Sequence, residues 1–228
     1  MKLDKATKWF NCEFYPKNKI QRAIRYEDGI LPRIKEEEIV LFTPWGPRYK
    51  SERGTKVTKN DHEVKTLIFL KDVLKKFYEN MPGKKFRWLF LGADLYGTKI
   101  NRLQEDDVKS YFFELKRWVI DLIGIADFQL WSEYDVEAES FRQETRKKLK
   151  YLISQSIYSR AVRTANGMGK GSDAEEYLVE RLAEAMLIEN KFRPIKVSCV
   201  NREKDVQVDW ELPVLYILPD ELKNPWMK

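Results

Sequence analysis

The chain has 228 residues, of which 43% are hydrophobic, and this is enough apolar side chain for one large globular domain. No run reaches the roughly 18 apolar residues of a membrane-spanning helix, and the first residues lack the apolar core of a signal peptide. We therefore expect a cytoplasmic protein without a membrane partner. The net charge of +6 suits a phosphate-bearing ligand or a nucleic acid.

The chain is poor in the residues that usually bind metals. Its two cysteines, Cys12 and Cys199, form neither a metal-ligand motif nor a disulfide framework. His62 is the single histidine, which excludes a histidine-rich metal centre and argues against a Ser-His-Asp triad. We predict no metal and no resident cofactor.

The hydrophobic pattern in the middle of the chain alternates between strands and helices. Continuous apolar runs, typical of strands buried on both faces, occur at 39–43, 86–92 and 127–134. Between them, apolar residues recur at helical spacing over 62–78 and 106–123. The alternation predicts an α/β fold, a Rossmann-like three-layer domain with a mostly parallel sheet.

The second half of the chain continues this pattern. Its predicted elements are helices at 137–160 and 173–190 and strands at 195–200 and 213–218. We expect a single α/β domain over 1–228, in which 1–38 form an N-terminal extension. Residues 164–173, which include the sequence NGMGKGS, are predicted to be a flexible glycine-rich linker or lid.

The connection after the first strand, PWGPRYKSERGTKVTKNDHE over 44–63, is long and basic, whereas a plain connection needs about 2–6 residues. Its cationic side chains are Arg48, Lys50, Arg53, Lys56 and Lys59. Parallel sheets bind ligands at the carboxyl ends of their strands, and arginine and lysine bind carboxylates and phosphates there. The loop therefore predicts a site for a small anionic substrate; a solvated surface loop is the alternative.

Lys50 is the candidate nucleophile of this loop. Desolvation beside Trp45 and Tyr49 would favour its neutral amine, which can attack a carbonyl group and form an imine. Asp94 follows the second strand at the same edge of the sheet, and Glu63 opens the next helix. These two carboxylates are candidate proton carriers, although each can equally serve a helix end or a turn.

The loop resembles the signature of the isonitrile (isocyanide) synthases. That family carries P-x-x-P-F-K-S, K-V-x-G and P-D-x-x-E before a helix, then S-D-G after the next strand. The matching stretches here are PWGPRYKS (44–51), KV (56–57), NDHE (60–63) and GAD (92–94). The helix that follows contains Tyr111 and Leu115, as in the family, and the resemblance covers residues 39–118. Arg48 is an insertion, and Leu95 stands where the family has glycine.

The resemblance implies a reaction and roles for residues. Isonitrile synthases convert the amino group of tyrosine or tryptophan to an isonitrile and take the carbon from ribulose 5-phosphate. Lys50 would form the imine with the ketone of this pentulose phosphate, and Asp94 or Glu63 would move protons. The substrate-binding residues that the resemblance implies are Arg48, Tyr49, Ser51, Arg53 and Lys56.

Two other functions remain open. The chain also resembles the cyclodipeptide synthases, which attack an aminoacyl-tRNA with a serine and use a tyrosine and a glutamate on a late helix. Ser51, Tyr177 and Glu180 match those positions, and the basic helix 142–151 would contact tRNA phosphates. The second alternative is a non-enzymatic, basic nucleic-acid-binding module.

Overall fold

A six-stranded sheet forms the centre of the described part of the protein, and helices cover both of its faces. The computed structural model describes residues 8–9, 23–46, 62–152, 159, 174–198 and 212–217. The strands are β1 Ala23–Ile24, β2 Glu38–Trp45, β3 Lys85–Gly92, β4 Ala126–Leu130, β5 Ile195–Ser198 and β6 Val214–Tyr216. The long described helices are α1 His62–Asn80, α2 Glu105–Ile123, α3 Asp135–Leu152 and α4 Ala174–Phe192.

The order of the strands is β1-β6-β5-β2-β3-β4, and β1 alone runs antiparallel to its neighbour in this sheet of described residues. The predicted mostly parallel, Rossmann-like α/β domain is therefore confirmed. None of the described helices is long and apolar enough to cross a membrane.

The prediction of a strand over 127–134 was wrong for its second half. β4 ends at Leu130, and Trp131–Tyr134 forms a short 3-10 helix. Trp131 and Tyr134 are both buried in the same apolar cluster. A strand would direct two side chains three positions apart to opposite faces, whereas a helical turn places them on one side.

The described part of the predicted N-terminal extension packs into the domain. β1 pairs with β6 at the edge of the sheet. Tyr26, Ile30 and Ile34 follow β1 in short helical turns and are buried in the main apolar core. The buried Arg33 donates hydrogen bonds to the carbonyls of Gly29 and Arg193, so these turns are also tied to the end of α4.

The alternation of side chains along the strands separates two apolar cores. Ile39, Leu41 and Trp45 of β2 face α1 and α2, whereas Phe42 faces α3 and α4. From β2 the chain moves outward through β3 to β4 and then returns to β5 on the other side of β2. The strand order thus reverses between β2 and β5, and sheets of this kind bind ligands beside the carboxyl ends at such a reversal.

Substitution of Gly92, at the carboxyl end of β3, tests how tightly the side chains at this edge of the sheet are packed. A Cβ atom there would lie 2.9 Å from both Leu130 Cδ2 and Phe112 Cδ1, which are packed side chains of the core. We expect Gly92→Ala to lower the free energy of unfolding by about 1–3 kcal/mol through overpacking, measured by urea denaturation. Gly46→Ala is the matched control, because its Cβ would meet no atom of the described residues within 4 Å. Equal stability of the two variants would contradict the prediction.

Candidate functional site

Two groups of buried and partly buried polar side chains lie near the carboxyl edge of the sheet, one on each face. We call Trp45, Glu63 and Tyr111, on the side of α1 and α2, the tyrosine bridge. We call Tyr96, Tyr177, Arg181, Glu184 and Lys196, on the side of α4, the α4 cluster. Strands β2 and β5 both end at this edge, next to the reversal of strand order.

The tyrosine bridge links the two ends of the basic loop. The indole Nε1 of Trp45 donates a hydrogen bond to the hydroxyl of Tyr111 at 3.3 Å. That hydroxyl donates to Glu63 Oε1 at 3.2 Å. All three side chains are buried. Trp45 ends β2 and Glu63 lies in the first turn of α1, so the loop between them starts and finishes beside one buried carboxylate.

Glu184 is the centre of the α4 cluster. Its side chain is 1% exposed, accepts a hydrogen bond from the Tyr96 hydroxyl at 3.0 Å and pairs with Arg181 Nη1 at 3.1 Å. Burial raises the pKa of the Glu184 carboxyl, while the charges of Arg181 and Lys196 act in the opposite direction. Burial, followed by the charge of Glu184, raises the pKa of Tyr96 well above its usual range. The cluster therefore holds opposite charges away from water.

Glu180 and Tyr177, the alternative catalytic residues, have different surroundings. Trp131 Nε1 donates to one oxygen of the Glu180 carboxylate at 2.8 Å, and Arg142 Nε donates to the other at 2.9 Å. Glu180 thereby joins α4 to α3 and to the turn after β4. Tyr177 packs edge-on against Tyr96, with ring centroids 5.8 Å apart, and so lies beside the α4 cluster.

Asp94 lies at the same edge but is engaged in a local contact. Its Oδ1 accepts a hydrogen bond from the backbone N–H of Ser132 at 3.0 Å. This contact ties the end of β3 to the helical turn that follows β4 and satisfies a donor at the start of that turn. Its side chain is partly exposed.

The remaining sequence-predicted site residues lie outside the described part of the chain. They are Arg48, Tyr49, Lys50, Ser51, Arg53 and Lys56. Their roles stay predictions. Within the described residues, no group of three histidine, cysteine, aspartate or glutamate side chains could hold a metal ion.

Sequence reasoning missed Glu184 and Lys196. Glu184 lies seven positions after Tyr177, so the two residues share one face of a helix. This spacing could have shown that Glu184 lies near Tyr177. Lys196 stands between the apolar Ile195 and Val197 in a short strand, where alternation predicts the opposite face of the sheet. Nothing in the sequence shows that this face is covered by α4.

Comparisons with known proteins identify the fold. No family model and no curated protein matches the sequence. Among solved structures, the chain is similar to tyrosyl-tRNA synthetase complexed with L-tyrosine from Archaeoglobus fulgidus, with a TM-score of 0.59 and 13% identity over 95% of this chain. It spans 65% of that synthetase, which is less than two thirds of its length.

Two further solved structures resemble the chain to different degrees. The chain is similar to the PvcA protein from Pseudomonas aeruginosa, with a TM-score of 0.61 and 18% identity over 89% of this chain and 79% of that one. For CDPS from Staphylococcus haemolyticus the TM-score is 0.48, with 8% identity over 82% of this chain and 92% of that one; this weaker likeness carries no conclusion. The chain has an aminoacyl-tRNA-synthetase-like fold, and identities this low identify the fold alone.

Arg142 tests whether Glu180 depends on its buried partner. Arg142 is 5% exposed, and its removal would leave the Glu180 carboxylate buried without its cation. We expect Arg142→Met to lower the free energy of unfolding by about 3–5 kcal/mol. Arg146→Met is the matched control, because Arg146 pairs with Glu176 between the same two helices at a half-exposed position and should cost less than about 1 kcal/mol. Similar losses for both variants would contradict the assignment.

Glu184 should make stability depend on pH. Because its folded-state pKa is raised, the folded protein binds a proton more tightly than the unfolded chain. Its contribution is present below the ordinary value of 4.5 and is lost as the pH rises through the folded-state pKa. We expect Glu184→Gln to reduce the fall in unfolding free energy over that range, measured by denaturation at several pH values. The exposed Glu79→Gln should leave the wild-type profile unchanged, and an unchanged profile in Glu184→Gln would contradict the prediction.

Proposed function

We propose that the protein is an enzyme of isonitrile biosynthesis that acts on an amino acid and a pentulose phosphate through Lys50. The observation that carries this proposal is the tyrosine bridge. It joins Trp45, at the start of the basic loop, through Tyr111 to the buried carboxylate of Glu63 at the loop's end, next to the reversal of strand order where such sheets bind ligands. A lysine nucleophile and a sequestered proton carrier are the two groups that imine chemistry needs.

The comparisons support the same choice. PvcA, whose fold is similar over most of both chains, is an isonitrile synthase. The motif resemblance to that family includes Lys50, Glu63 and Tyr111, and two of these three residues lie in the tyrosine bridge. The synthetase structure contains L-tyrosine, which is compatible with an aromatic amino acid as the second substrate.

The proposed roles follow from the chemistry of the groups. Lys50 condenses with the ketone of the sugar and releases water. Glu63 exchanges protons through the hydroxyl of Tyr111. Asp94 accepts a hydrogen bond from the Ser132 N–H and so fixes the end of β3 against the turn after β4. The groups that would bind the phosphate and the amino acid are Arg48, Tyr49, Ser51, Arg53 and Lys56.

An aminoacyl-tRNA-dependent transferase with Ser51, Tyr177 and Glu180 fits the described geometry less well. Both oxygens of the Glu180 carboxylate already accept hydrogen bonds from Trp131 and Arg142. The Glu180 carboxylate therefore already joins α4 to α3 and to the turn after β4.

Borohydride trapping tests the proposal. The protein is incubated with ribulose 5-phosphate, reduced with borohydride and analysed by mass spectrometry with peptide mapping. We expect one sugar phosphate on Lys50, because reduction converts the imine to a stable secondary amine. The adduct should be lost in Lys50→Arg and retained in Lys59→Arg, a matched change in the same loop.

Product formation provides the second readout. With tyrosine or tryptophan as co-substrate, the wild-type protein and Lys59→Arg should form an isonitrile, detected by infrared absorption, and Lys50→Arg should not. Absence of both the adduct and the product would overturn the proposal. A covalent aminoacyl group on Ser51 after incubation with charged tRNA would favour the transferase instead.

A further inference from the structure

Helix α2 carries large apolar side chains on both of its faces. The inner face, which includes Tyr111 and Leu115, packs into the core. On the outer face Phe113 is 66% exposed and Ile120 is 46% exposed. They lie seven positions apart and therefore form one stripe along two turns. Single exposed apolar side chains are ordinary, whereas an aligned pair of large ones indicates a surface that a partner can cover.

The charges on the two sides of this stripe have opposite signs. Lys109 and Lys116 lie along one flank of the stripe. Glu114 and Asp121 lie along the other flank. The two lysines and Asp121 are exposed, and Glu114 is partly exposed. Each lysine precedes an acidic residue by five positions, which is the spacing of the residues that form salt bridges between the helices of a parallel two-stranded coiled coil.

We propose that α2 pairs in parallel with α2 of a second copy of this chain, about a two-fold axis along the helices. This axis brings the basic flank of one copy against the acidic flank of the other. The apolar stripes of the two copies then cover each other. An antiparallel pair would instead place the basic flanks of the two copies together, so charge complementarity selects the parallel arrangement and a second copy as the partner.

The residues of the flanks can change partners at low cost. Within α2, Lys109 Nζ pairs with Glu105 Oε1 at 2.6 Å, and Arg117 Nη1 pairs with Glu114 Oε1 at 3.6 Å. Pairs between such exposed side chains contribute little to stability. The helix is already ordered by its buried inner face, so association does not have to fold it.

Arg117 limits the affinity of this pairing. It lies between Phe113 and Ile120 on the outer face and is exposed, so the two copies of Arg117 would face each other across the axis. A charged residue at this position of a parallel pair specifies two strands but lowers their stability. We therefore expect a weak dimer in concentration-dependent equilibrium with the monomer.

Sedimentation velocity from about 1 µM to about 1 mM protein, the range in which weak complexes form, tests the proposal. The wild-type protein should show the monomer–dimer equilibrium. Ile120→Glu should weaken dimerisation at least about a hundredfold, because it brings a charge from each copy into the contact. Ile68→Glu on α1 is the matched control, since Ile68 is also 46% exposed, and its Kd should equal that of the wild type. A monomer at every concentration, or equal effects of the two variants, overturns the proposal.

Charge reversal tests the parallel orientation. Lys116→Glu should weaken dimerisation about tenfold, because the new carboxylate faces the acidic flank of the second copy. Adding Asp121→Lys in the same chain should restore the wild-type Kd, since the flanks are again complementary. Tighter association of Lys116→Glu alone would show an antiparallel pair and would overturn the parallel arrangement.

Arg117→Leu should produce a gain of affinity, which a loss of folding cannot imitate. Replacement of the charged residue by leucine should tighten the dimer about tenfold. Lys75→Leu, at a position of α1 that is 75% exposed, is the control and should leave the Kd unchanged. A weaker dimer in Arg117→Leu, or the same gain in Lys75→Leu, contradicts the proposed contact. These outcomes do not depend on the reaction proposed above.

Discussion

A buried carboxylate is costly unless protein donors replace the water that it loses, and this constraint shapes the carboxyl edge of the sheet. Three glutamates of the described chain are buried there. Glu63 is bound by Tyr111 of α2, Glu180 by Trp131 and Arg142, and Glu184 by Tyr96 and Arg181. Each set of contacts joins a helix to another element at this edge. The edge is therefore held together by polar contacts, whereas the two cores beneath it are apolar.

The same constraint divides the edge into two chemically different halves. On the side of α1 and α2, Glu63 accepts a hydrogen bond from the Tyr111 hydroxyl, which in turn accepts one from the Trp45 indole. On the side of α4, Glu184 interacts with two cations. The first half therefore links a carboxylate to a hydroxyl through which protons can move, and the second half holds a buried carboxylate among cations.

The synthetase-like fold explains the location of the candidate site but does not identify a reaction. Tyrosyl-tRNA synthetase and PvcA have folds similar to this chain at 13% and 18% identity. A shared fold provides strands that end at one edge and a reversal of their order, while the side chains at that edge determine the chemistry. The tyrosine bridge is the feature of this chain on which the proposed chemistry rests.

The sequence by itself determined the alternation of strands and helices, because apolar periodicity reflects burial within each element. It also singled out Glu63 and Asp94 as candidate proton carriers, and the resemblance to cyclodipeptide synthases singled out Glu180. Only the tertiary structure decided that Glu63 contacts Tyr111, and that Glu180 is bound by Arg142 and Trp131. The local sequence pattern shows which face of an element a side chain occupies. The hydrogen-bond partners of Glu63 and Glu180, however, lie 38–49 positions away in sequence, and only the packing of the helices on the sheet brings them into contact.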